Sequence, residues 1–125
     1  RDLENRTIEI ARRDTMEKAT YKISNIGKKI VDLLQNIQDN LYERSKKFRK
    51  ENTFTVDSYE EFKTVINKGG FVRCGWDGTE ITEKHIKDET KATIRCIPFN
   101  ESPENKQCIF SGKDALHEAI FAKAY

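Results

Sequence analysis

The chain has 125 residues, a formal net charge of +2, and nearly equal shares of charged (35%) and apolar (36%) residues. That is enough for one domain, or one domain with an appended piece, to bury its own core, and the balance is that of a globular protein with a highly charged surface. No apolar run approaches membrane-spanning length, no secretory signal opens the chain, and so small a charge does not compel a nucleic-acid partner, because counterion release draws on clustered Lys and Arg. Three cysteines cannot all pair internally. Free thiols or metal ligands in a reducing compartment are therefore expected rather than disulfides. The opening at Arg1, inside a strand-forming region, makes a fragment of a longer polypeptide the expectation.

From Thr7 to Arg12 the residues alternate, with Ile8 and Ile10 on one face and Glu9 on the other, as in a half-buried strand. Asp14 and Thr15 supply turn chemistry, and Lys18 to Ile23 can close a hairpin by laying Tyr21 and Ile23 beside the first strand. Ser24 or Asn25 then caps a long helix whose apolar residues Ile26, Ile30, Leu33, Leu34, Ile37 and Leu41 recur at helical spacing. Tyr42 and Phe48 prolong the stripe, and fraying is predicted near Asn52. This helix is expected to be the main donor to the core, at about 2 kcal/mol per buried aliphatic side chain before entropy is subtracted.

Thr53 to Val56 is a short β-prone run. Asp57 or Ser58 caps a helix through Asn67 that turns Phe62, Val65 and Ile66 inward and carries Glu60 and Glu61 in its first turn, where they suit the dipole. Gly69 and Gly70 end it. Two apolar runs follow, Gly70 to Trp76 and Ala92 to Phe99, each with a cysteine and separated by a polar segment of helical type. The pattern predicts a strand at Phe71–Cys74, a turn at Gly75–Gly78, a helix at Thr82–Thr90, and a strand at Thr93–Ile97 stopped by Pro98. Ile94 and Ile97 around Cys96 suggest a packed core thiol. Asn100 to Lys106 reads as a solvated loop, and Cys108–Phe110 as a last short apolar run before an alanine-rich end. The fold class expected is α+β, a small sheet packed with helices.

The run FVRCGWDGTEITEKHIKDETKATIRCIPF, together with Cys108 and the closing FAKAY, closely resembles the C-terminal domain of prolyl-tRNA synthetases of the archaeal and eukaryotic type (class II). In that family a "CG" turn, a "KEETKAT-RC-P" segment, a later cysteine pair and a terminal "FA-AY" recur in this order. RDLENRTIEIARRDT at the start resembles the last part of the family's anticodon-binding domain. The resemblance implies a division into 1–23, the end of an anticodon-binding domain, and 24–125, a C-terminal domain of zinc-site-like type. It also implies a final strand ahead of the terminus. The parent enzyme it implies is a cytoplasmic homodimer that uses ATP and Mg2+ to attach L-proline to tRNA(Pro). Nothing here resembles the adenylate-forming core, so the chain alone is expected to be an inactive, accessory part. The rival reading is a stand-alone RNA- or metal-binding adaptor of the same ancestry.

The same resemblance implies a structural zinc held by four cysteines, a C-x4-C pair followed by a C-x2-C pair. Cys74 and Cys108 stand at the first and third positions, but Thr79 and Ser111 occupy the second and fourth. Neutral hydroxyls are poor zinc ligands, so an unfilled site is expected unless His85 or His117 substitutes. Trp76 is expected to pack where the metal would be, compensating for it, with a ligand platform as the alternative. The basic residues Arg44, Lys46, Lys47, Arg49 and Lys50 fit a solvated helix end complementing the dipole, or contacts with tRNA phosphates; Arg12 and Arg13 fit an exposed strand edge or a tRNA-facing rim. The terminal Tyr125 is implied to reach toward the catalytic domain of the parent, its aromatic ring and free carboxylate anchoring the tail.

Overall fold

The computed structural model describes residues 2–100 and 102–123, in two compact units, 1–48 and 49–125. The first unit opens with a short helix α1 (Asp2–Asn5) and an antiparallel hairpin of β1 (Thr7–Ala11) and β2 (Lys18–Lys22), in which Ile8 faces Tyr21 and Ile10 faces Ala19. A single 3-10 turn leads into α2 (Ile26–Glu51), which stops at the predicted Asn52. Asp14 at the hairpin tip fastens it to the helix: its carboxylate takes a bidentate pair from Arg12 at 3.0 and 2.6 Å and a bond from Asn40 at 2.8 Å, while Arg12 also donates to Asn36. Those bonds, from Arg12 first and then Asn40, hold the Asp14 carboxyl well below the usual carboxylate range.

The long helix does not donate to a core. None of its residues is buried; Leu34 is 60% exposed and Val31 66%. The reason is geometric. A 26-residue helix is about 39 Å long at 1.5 Å per residue, whereas five-residue strands span about 17 Å, so the hairpin shelters only a short part of the stripe.

The second unit is a four-stranded sheet ordered β3-β4-β6-β5, built from β3 (Thr53–Thr55), β4 (Phe71–Trp76), β5 (Ala92–Cys96) and β6 (His117–Lys123). β3 and β4 are parallel and joined by α3 (Tyr59–Lys68). α4 (Glu80–Thr90) joins β4 to β5, between which β6 inserts antiparallel to both. The ends of α3 follow from its sequence. Ser58 accepts from the Glu61 amide, and Gly69, at φ 88°, takes the left-handed position that donates its N–H to Val65 and Ile66 carbonyls.

One sheet face and the two helices enclose the core: Phe62 and Ile66 from α3, Ile86 from α4, Val72 and Cys74 from β4, Ala92 from β5, Ala119 and Phe121 from β6. Phe62 meets Phe121 edge-on at 5.4 Å. Every fully buried hydrophobic residue among the described ones belongs to this unit.

Two local expectations change. β4 runs on through Gly75 and Trp76 instead of turning there. Gly75 is required by close approach: a Cβ would lie 2.3 Å from the Gln107 carbonyl oxygen, where the 107–109 segment pairs with the strand. Cys96 is exposed, not packed. β5 pairs Ile94 with Phe121 but Cys96 with the next residue, Ile120, so an irregularity adds one residue and reverses the alternation there. The polar loop is solvated as expected, with Asn100, Ser102, Glu104 and Asn105 exposed, and it is tied down by the buried Glu118 of β6, which binds Arg73 Nη2 at 2.5 Å, Lys106 and the Ser102 amide.

Candidate metal site and basic surfaces

The two cysteines at the candidate metal positions are both buried, Cys74 on β4 and Cys108 in the segment that bridges to Gly75. Burial pushes the Cys74 thiol up to about 12, reinforced by neighbouring Cys108 and Glu118 and only partly opposed by Lys106. Zinc is held by thiolates, so binding here would have to displace that proton.

The other two positions are turned elsewhere. Thr79 is the N-cap of α4, its Oγ1 accepting from the Thr82 amide at 3.3 Å. It also donates to Asp77 Oδ1 at 2.9 Å, and its own amide donates to the same oxygen at 3.1 Å. Ser111 donates to Asp77 Oδ2 at 2.7 Å, and the buried Thr82 hydroxyl joins at that oxygen at 2.8 Å. The hydroxyls at both substituted positions therefore converge on a carboxylate. Burial disfavours the charge on Asp77, yet the bonds from Ser111, Thr82 and Thr79 outweigh it and hold the group at about 2. Neither histidine completes a donor set. His85 stacks on Phe110 at 5.5 Å, and His117 lies 6.0 Å from the Trp76 ring. Among the described residues no three His, Cys, Asp or Glu side chains are grouped to hold a metal ion. The residues present do not fit a tetrahedral zinc.

Sequence reasoning missed Asp77 and Thr82. A signal was there: an acid two residues ahead of a capping threonine, between a strand and a helix, is the pattern of a side chain that bonds backbone two residues on. Glu118, a lone acid inside the apolar run LHEAIFA, was missed likewise.

The basic residues are partly engaged. Arg12 is tied to Asp14 and Asn36, and Lys46 pairs with Glu43 at 3.5 Å and lies over the Tyr42 ring. Arg13 after β1 and Lys47 on α2 are exposed, as are Tyr42 and Phe48 on α2. Tyr125 lies outside the described residues.

A profile of the family described as "Prolyl-tRNA synthetase, C-terminal" matches residues 59–125. Across its whole length the chain is also 52% identical to the proline–tRNA ligase of Porphyromonas gingivalis, of which it covers 25%. The chain belongs to the prolyl-tRNA synthetase family. Another relative, the proline–tRNA ligase of Amoebophilus asiaticus, is 50% identical over 99% of this chain and 26% of its own. The prolyl-tRNA synthetase of Cryptosporidium parvum, solved with halofuginone and AMPPNP, superimposes with a TM-score of 0.83 and 29% identity over 99% of this chain and 27% of that one. The chain thus spans about a quarter of the length of the synthetases it matches. The α+β architecture expected from its sequence is the one this prolyl-tRNA synthetase C-terminal region has. Among the described residues no helix is long and apolar enough to cross a membrane.

Proposed function

We propose that the chain is the C-terminal, accessory part of a proline–tRNA ligase that activates L-proline with ATP and Mg2+ and transfers it to tRNA(Pro), working as a cytoplasmic homodimer. The observation that carries this is the 52% identity to a proline–tRNA ligase sustained over all 125 residues. Identity that high, without interruption, supports a shared role rather than a borrowed fold. In this reading residues 1–23 are the edge of the anticodon-binding domain and 24–125 the C-terminal domain. The second unit works as a self-supporting body, held by its own core and carrying no structural zinc. The adaptor reading is weaker, because the matched relatives bear the ligase name along the same alignment.

Charging assays test it. The complete protein should attach radiolabelled proline to tRNA(Pro) with ATP and Mg2+, and the 125-residue chain alone should not; charging with a different amino acid, or charging by the 125-residue chain alone, would overturn it. Within the same reading Tyr125 is the anchor of a tail toward the catalytic domain. Deleting it from the complete protein should lower kcat/KM for aminoacylation with unchanged circular dichroism, and a wild-type value would remove that role. Arg12, Arg13, Lys46 and Lys47 are the cations proposed to meet tRNA phosphates, although Arg12 is held by Asp14 and Lys46 pairs with Glu43. Their alanine variants should raise the KM for tRNA more at low salt than at high salt, and an unchanged KM would assign them to the solvated helix end.

A further inference from the structure

We propose that the Asp77 carboxylate takes the place of the missing metal, cross-linking three chain segments with hydrogen bonds from the residues that stand where thiolate ligands would be. A tetrahedral zinc in such a domain ties the end of one strand to a later loop through four bonds at one centre. Asp77 does this with four donors on two oxygens. Thr79 donates twice to Oδ1, at 2.9 and 3.1 Å, while Thr82 and Ser111 donate to Oδ2, at 2.8 and 2.7 Å. The joined segments are also those a metal would join: the exit of β4, the first turn of α4, and the 108–112 loop.

The chemistry is self-consistent. Losing thiolates at positions 79 and 111 removes two soft anionic donors and supplies two hydroxyl donors, which need an anion, not a cation, at the centre. A carboxylate with several charge-assisted bonds is the fitting partner. The loop adds its own support: the Cys108 amide donates to Lys113, the Gly112 amide to Cys108, and the Ile109 amide to Gly75. The two remaining cysteines are released from ligation and are free and buried, Cys74 as a member of the apolar core.

Thermal unfolding of the full chain tests the substitution of carboxylate for metal. The wild-type midpoint should not move on treatment with EDTA or on addition of zinc, and dialysed protein should hold far less than one zinc per chain. Asp77→Ala should lower the midpoint by several degrees and Ser111→Ala by less, and in the Asp77→Ala background the Ser111→Ala change should add nothing, because its acceptor is already gone. If Asp77→Ala does not fold, Ser111→Ala alone decides: a lowered midpoint indifferent to zinc supports the cross-link, and no shift overturns it. An EDTA-sensitive wild-type midpoint, stoichiometric zinc, or an equal Ser111→Ala loss in both backgrounds would also overturn it.

Discussion

The two units solve the same problem in opposite ways. Residues 49–125 close a core around Phe62, Ile66, Val72, Ile86 and Phe121, whereas residues 4–48 fully bury no hydrophobic side chain and lean on polar ties from a hairpin tip to a helix. Both carry amphipathic helices, so the difference lies not in the pattern but in what is available to cover it. α3, of 10 residues, meets a four-stranded sheet; α2, of 26, meets two short strands. A hydrophobic stripe predicts a face that can be buried, and only the opposing surface decides whether it is.

The largest expected effect separates the units directly. Phe62→Ala removes a ring with no exposure that packs on Phe121 and Tyr59, and it should cost about 3–5 kcal/mol in a denaturant titration. Leu34→Ala, 60% exposed, should stay within about 0.5 kcal/mol. Equal losses would break the comparison and place α2 in a core after all.

Next comes the buried carboxylate. Glu118→Gln should destabilise the second unit by about 2 kcal/mol, less than for a sealed ion pair because Arg73 and Lys106 are partly exposed and can regain water. Burial opposes ionisation of Glu118, but bonds from Arg73 and Lys106 hold its carboxyl below the usual range. The unfolded chain therefore binds the proton more readily. The stabilisation is complete above the unfolded value of about 4.3 and drains away as pH falls through the lower folded one. The pH dependence of the denaturant midpoint below about pH 4.3 should be shallower in Glu118→Gln than in wild type; superimposable profiles would show that the clamp does not stabilise the fold.

Ser58→Ala, which leaves the Glu61 amide at the start of α3 without its cap, should cost about 1 kcal/mol by the same titration. An unchanged midpoint would mean that water replaces the cap at no loss. The smallest effect is confined to the first unit. Asp14→Ala should speed amide hydrogen exchange in the β1–β2 hairpin and leave the sheet of the second unit untouched. Unchanged exchange in the hairpin would show that the Asp14 bonds do not hold it.

Much of the local structure was legible in the residue order. Ser58 and Gly69 bound α3 because capping oxygens and a left-handed glycine act within a few residues, and alternation over 7–11 marked β1. Periodicity likewise found α2, and the polar, helix-type composition between two apolar runs found α4, since a helix closes its own hydrogen bonds. What the tertiary structure decided involves partners distant in sequence. Glu118 is tolerated on a buried central strand because Arg73, 45 residues away, and Lys106 reach it. Cys96 faces outward through a pairing irregularity with β6, and Gly75 answers to the 107–109 backbone rather than to a turn. The metal positions show the division most sharply. The sequence determined that two thiolates were missing; only the fold, by bringing Ser111 across 34 residues to Asp77, decided what stands in their place, because a hydroxyl has no stated partner until the chain has brought one within 3 Å.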